Sequence, residues 1–147
     1  MSFLTAAVAA FMLMSPGAEA DEAAIKRAAL DYIESQHTPN PDQMARALHD
    51  ELKKRTYWRD KDGQPFVMET SKETMLRVAE TYNADGKGFP AQPKKIIEIL
   101  DVDQNVASVK LTADDWIDYM HLMKVDGEWK IINVLWQMHD TKKQQSK

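Results

Sequence analysis

Along the first half of the chain apolar residues return every three or four positions, and along the second half every two, so helices are expected first and strands afterwards. Ile25, Ala28, Ala29, Tyr32 and Ile33 form one stripe of an amphipathic helix running from Asp21 to about Gln36, with Asp21 and Glu22 suited to its positive N-terminal end. Thr38-Pro39-Asn40-Pro41 breaks the chain. Asn40 is placed to cap and Pro41 to occupy the first position of a second helix, in which Met44, Leu48 and Leu52 recur every four residues and Lys53-Lys54-Arg55 form the end. Thr56 to Thr70 predicts a loose hairpin around Asp62-Gly63. Thr70-Ser71-Lys72-Glu73 then matches a capping box before a short third helix with Met75, Leu76, Ala79 and Tyr82 on its stripe. After a Gly/Pro-rich loop from Asn83 to Pro93, every signal is strand. KKIIEILDV turns at residues 103–105 into VASVKLT, and WIDYMHLMKV turns at Asp126-Gly127 into EWKIINVLWQ. Three helices ahead of most of the strands define an α+β protein with an antiparallel sheet.

The last hairpin breaks the usual alternation, because both of its faces are largely apolar and one also carries Asp118 and Asn133. A two-residue turn that pairs Val125 with Glu128 also pairs Lys124 with Trp129, Leu122 with Ile131, Met120 with Asn133, Asp118 with Leu135 and Trp116 with Gln137. The opposite face then collects Ile117, Tyr119, His121, Met123, Ile132, Val134 and Trp136.

Residues 1–20 differ from the rest. Phe3 to Met14 is almost wholly apolar, Pro16-Gly17 breaks it, and Ala18-Glu19-Ala20 offers small residues where a signal peptidase reads, although no Lys or Arg precedes the run. The expectation is a secretory leader (1–20), a domain over 21–140 and a frayed tail over 141–147, with the mature protein periplasmic or secreted. Once the leader is cleaved, no membrane attachment is expected. With 23 acidic against 19 basic residues, the chain lacks the positive balance on which nucleic-acid binding rests. Zero cysteines exclude disulfides, thiolate metal sites and a Cys nucleophile. His37, His49, His121 and His139 have no metal-ligand spacing, no phosphate or dinucleotide loop is present, and no cofactor is expected. Arg55 and Arg59 beside Trp58 could form a modest anion-binding mouth.

The order of elements, with AALDYIE and MARALHDELKKR ahead of ILDVDQNVASVKL and DWIDYMHLMKVDGEWKIINVLW, resembles the nuclear transport factor 2-like superfamily and, within it, the bacterial "putative lumazine-binding" group. The resemblance spans roughly residues 22–138. It implies a cone in which three N-terminal helices pack on a curved antiparallel sheet that leaves a pocket, often with dimerisation through the outer face of the sheet. On that fold the Asp118 face lines the pocket, and Tyr32, His49, Trp58, Trp116, Asp118, Met120 and Asn133 are the ligand-binding candidates. Ile117, Tyr119, His121, Ile132, Val134 and Trp136 are the candidates for a homodimer interface, since an apolar patch of that kind is unusual on a monomer. The expected function is binding of a small apolar or aromatic molecule in the cone. Its rivals are an isomerase- or dehydratase-type enzyme with Asp118 as general base, and a non-catalytic interaction module.

Overall fold

The computed structural model describes residues 16–147, so the apolar run Phe3 to Met14 of the expected leader lies outside the described residues. Three helices, α1 (Pro16–His37), α2 (Pro41–Ala47) and α3 (Lys72–Thr81), pack against one six-stranded sheet of β1 (Leu48–Arg59), β2 (Pro65–Thr70), β3 (Ile96–Asp103), β4 (Val106–Thr112), β5 (Trp116–Val125) and β6 (Glu128–Met138). The strand order is β2-β1-β6-β5-β4-β3. All neighbours are antiparallel except β1 and β6, which run parallel.

The expected α1 stripe is the buried one, with Ile25, Ala29, Tyr32 and Ile33 fully covered. Asn40 caps α2 by accepting from the Gln43 N–H at 3.0 Å, and Pro41 takes the first helical position. For α3 the cap is Ser71, one residue later than the capping-box pattern placed it, and its Oγ accepts from the Thr74 N–H. At the last hairpin Asp126 and Gly127 both adopt positive φ, 50° and 83°, as a primed two-residue turn requires.

The second helix is far shorter than its pattern suggests. It stops at Ala47, and Leu48 to Arg59 form a strand. Apolar residues four apart satisfy a helix stripe, but four is also twice the strand period, so Leu48 and Leu52 are buried in either state. The segment is extended because it fills the sheet between β2 and β6, and from Leu52 onward it alternates strictly: Leu52, Lys54 and Thr56 inward, Lys53 and Tyr57 outward.

The last hairpin also departs from the expected pairing. Val125–Glu128, Lys124–Trp129 and Leu122–Ile131 pair as anticipated, but the register then shifts and His121 pairs with Asn133, leaving Ile132 as the extra residue of a β-bulge. Because strand side chains alternate, one inserted residue moves everything beyond it to the other face. Met120 therefore pairs with Val134, Asp118 with Trp136 and Trp116 with Met138. Val134 is fully buried in the core, while Asn133 turns outward and its amide meets the His121 ring at 3.1 Å.

The C-terminal tail is not frayed. Beyond a 3-10 turn at Thr141–Lys143, the chain returns alongside the end of β1, where the Arg59 N–H donates to the Gln144 carbonyl and the Ser146 N–H donates to the Arg59 carbonyl. β1 and β6 diverge here, and the Gln144 side chain bridges them by donating to Thr56 Oγ1 and the Tyr57 carbonyl and accepting from the Met138 N–H. Backbone groups that the splay would leave unpaired are thereby satisfied.

Candidate functional site

Where α1, β1, β5 and β6 converge, the inner wall of the sheet holds one completely buried carboxylate. Asp118 is 0% exposed, and both its oxygens are occupied. Oδ1 accepts from the Lys54 ammonium at 3.0 Å and the Tyr32 hydroxyl at 3.4 Å, and Oδ2 accepts from the Trp116 indole N–H at 2.8 Å. Lys54 also donates to the Tyr32 hydroxyl, and its ammonium sits 4.9 Å from the Trp136 ring centre. Burial, reinforced by the charge of Asp118, holds the Tyr32 phenol well above its ordinary pKa of 10.0, so Tyr32 is a fixed donor here. Each member is delivered by its element. Tyr32 belongs to the buried stripe of α1, Lys54 to the inward set of β1, and Trp116 and Asp118 alternate inward at the start of β5.

An aromatic wall surrounds this centre. Trp58 and Trp136 pack at 5.7 Å between ring centres, and the Trp58 indole donates to Ser146 in the returning tail. On the other side Phe89, from the loop after α3, packs 5.9 Å from Trp116 and edge-on to His37 at 4.5 Å. Two nitrogens in this region, His37 Nε2 and Trp136 Nε1, are buried without a hydrogen-bond partner among the described residues.

Of the seven pocket candidates, the structure brings Tyr32, Trp116, Asp118 and Met120 together on the inner wall, with Trp58 beside Trp136. Asn133 is removed from the set by the bulge. His49 is placed elsewhere too. It is the second residue of β1 instead of facing inward from a helix, its Nδ1 accepts from the Glu51 N–H, and it lines a cleft with Lys72 and Lys130 at the Asp126-Gly127 end of the sheet. Among the interface candidates Ile117, Tyr119 and His121 do face outward, and Ile132 sits at the bulge. Val134 and Trp136 face inward, and their places on the outer surface are taken by Leu135 and by Tyr57 of β1, each 59% exposed.

Lys54 is the member that sequence reasoning missed. Placed on a helix, it looked like one of three terminal bases. Only the alternation Leu52, Lys54, Thr56 within a strand marks it as inward. Arg55 and Arg59 do not form an anion-binding mouth with Trp58. Arg55 pairs with Glu69 on the outer face at 2.9 Å, and Arg59 donates to the Gly63 carbonyl.

Among the described residues, Asp118 lines none of five surface clefts. One, of about 280 Å³, reaches inward to Thr56, Trp136 and Gln144. Another, of about 700 Å³, lies between the end of α1, α2 and the Phe89 loop. Among the described residues no group of three His, Asp or Glu side chains is placed to hold a metal ion.

A family model described as "Putative lumazine-binding" matches residues 20–137, and the chain belongs to that family, within the nuclear transport factor 2-like superfamily. No curated protein matches the sequence. Among solved structures, similar folds include an NTF-2-like protein of unknown function from Silicibacter pomeroyi (TM-score 0.64, 12% identity, covering 86% of this chain and 100% of that one). A "putative scytalone dehydratase" from Novosphingobium aromaticivorans matches with TM-score 0.56 and 17% identity over 85% of this chain and 88% of that one. The association domain of C. elegans CaMKII matches with TM-score 0.58 and 9% identity over 83% and 98%. At these identities the likeness shows the fold, which carries a dehydratase name in one case and an assembly role in another.

Proposed function

We propose that the protein is an exported binder of a small apolar or aromatic molecule, held against the aromatic wall of the cone by a polar group that engages the Lys54 ammonium beside Asp118. The observation that carries this reading is the buried Lys54–Asp118 pair. Desolvating two charges costs about as much as their attraction returns, so an apolar pair would serve stability equally well. A costly polar centre ringed by Trp58, Trp116 and Trp136, on the wall that faces the cone interior, supports recognition of a ligand. The test is a thermal-shift and tryptophan-fluorescence screen of aromatic acids, ketones and lactams against the wild type and a Lys54→Met/Asp118→Asn double variant. Binding is expected in the former and lost in the latter with the fold retained. A wild type that responds to nothing in such a library would overturn the proposal.

Catalysis by Asp118 fits the geometry less well. Both its oxygens already accept, so a proton-abstracting role requires one of three donors to be displaced first.

An interaction role receives separate support from the outer face. Tyr57, Val67, Tyr119 and Leu135 line up across neighbouring strands and are 59, 62, 43 and 59% exposed, a patch that suits a second copy of the chain. Leu135→Lys is expected to dissociate such a dimer in sedimentation velocity, and a monomeric wild type would remove this part of the reading. Export rests on the leader pattern. Intact mass of protein recovered from a periplasmic fraction, expected to begin at Asp21, tests it directly.

A further inference from the structure

Phe89 lies between two features that the fold otherwise keeps apart. It lines the 700 Å³ cleft beside His37, and it packs against Trp116, whose indole holds Asp118. The loop that carries it is held at its far end by Asp114, which accepts from the Lys94 N–H at 3.0 Å, and by the Lys95–Glu34 pair, and on the near side of Phe89 it is fastened by Asn83. Asn83, 6% exposed, donates to the His37 carbonyl at the end of α1 and accepts from the Gly88 N–H, each at 2.6 Å. The fastening is close-fitting at Gly88, where an added Cβ would come within 2.9 Å of the Asn83 Oδ1. Beneath the plug, His37 Nε2 is buried with no partner among the described residues, a condition that costs free energy unless something else supplies the bond.

We propose that Phe89 is a built-in stand-in for the ligand: when its loop lifts from the Asn83 latch, the vacated slot, walled by Trp116, Tyr82 and His37, admits a planar aromatic molecule with a hydrogen-bonding edge. The ring takes the place of Phe89, the polar edge meets His37 Nε2, and the slot leads past Trp116 to the Lys54–Asp118 centre. Phe89 and His37 are thus specificity-determining residues. This rests on the proposed binding function and narrows its ligand class. The aromatic character follows from what Phe89 now touches, with ring centres 4.5–5.9 Å apart, the range in which edge-to-face and offset pairs form. The polar edge follows from the unsatisfied imidazole, which burial, helped by the Lys95 charge, keeps below its ordinary pKa and therefore neutral near pH 7.

The experiment uses the full chain with phenol and toluene as probes, read by melting temperature and by calorimetry. Phe89→Ala opens a vacancy that an aromatic ring fills, so saturating phenol is expected to raise its melting temperature by about 2–4 °C, with little change in the wild type. Toluene is expected to give a smaller shift, and His37→Phe in the Phe89→Ala background is expected to erase the preference for phenol. Gly88→Ala, which disturbs the latch with the plug intact, should respond between wild type and Phe89→Ala, and it keeps the test open if Phe89→Ala folds poorly. Phe89→Ala and Gly88→Ala that both ignore phenol and toluene would overturn the proposal, and equal responses to the two probes would overturn the role of His37. The two functional readings fail separately. Any ligand found for the wild type whose affinity is unmoved by Phe89→Ala and Gly88→Ala sinks the plug and leaves the Lys54 reading standing. Probe binding in Phe89→Ala that persists while no ligand depends on Lys54 does the reverse.

Discussion

Asp118 and Asp21 accept from the same two kinds of donor, a lysine ammonium and a tryptophan indole, yet they sit at opposite ends of the last hairpin. Asp21, at the start of the expected mature chain, takes Lys124 at 2.7 Å and Trp129 at 2.9 Å beside the Asp126-Gly127 turn. Asp118, where β5 begins, takes Lys54 at 3.0 Å and Trp116 at 2.8 Å and adds Tyr32. Water makes the difference. The Asp21 cluster is partly open to solvent, where ions keep much of their hydration and screening is effective, so it acts as a clamp fixing the N-terminal half of α1 to the sheet. The Asp118 cluster is almost closed to water, and there the same chemistry is expensive to assemble and severe to disrupt. Identical donors thus mark a fastening at one end and a candidate site at the other.

The sharpest way to test that contrast is to remove each lysine. Lys54→Met leaves Asp118 buried and unpaired and is expected to cost about 3–5 kcal/mol in urea unfolding, with most of it recovered when Asp118→Asn is added. Lys124→Met should shift the midpoint only slightly, and 1 M salt should abolish that shift. Equal losses at the two ends would break the comparison. Next come the indoles. Trp116→Phe strips a donor from a buried carboxylate and is expected to cost about 1–3 kcal/mol beyond its packing loss, whereas Trp129→Phe leaves a carboxylate that water can reach and should cost less. The smallest effect is on pH dependence. His37 has a depressed folded pKa, so its unfolded form binds the proton more readily and stability falls as pH drops from about 6.5 through the lower folded value. Asp21 is also held below its ordinary value of 3.8, chiefly by its bond to Lys124, so its contribution is present above that pH and is lost on further acidification. His37→Gln is expected to flatten the first limb of a stability–pH curve and Asp21→Asn the second, each leaving the other intact.

How much of this was legible can be judged at three places. The α1 stripe, the Asn40-Pro41 helix start and the Asp126-Gly127 turn are local, and the local sequence called for them. Leu48 to Arg55 reads as helix but folds as strand, because apolar residues four apart fit both periods and only a neighbouring strand can choose between them. The pairing of β5 with β6 was right as far as Leu122–Ile131 and inverted beyond it, since a single bulged residue leaves no mark in the hydrophobic pattern. That inversion removed Asn133 from the wall, put Trp136 there and exposed Leu135, and the strand assignment of β1 brought in Lys54.

By itself, the sequence determined the class of fold, the helix and turn boundaries that depend on caps and glycines, the inward set Trp116, Asp118 and Met120, and the family. All of these are encoded in residues a few positions apart. The partners of Asp118, the return of the tail through Gln144 and the placing of Phe89 over Trp116 were decided only by tertiary structure. They join residues up to 88 positions apart across different strands and a helix, and such contacts are set by how the sheet twists, bulges and closes, which no local periodicity encodes.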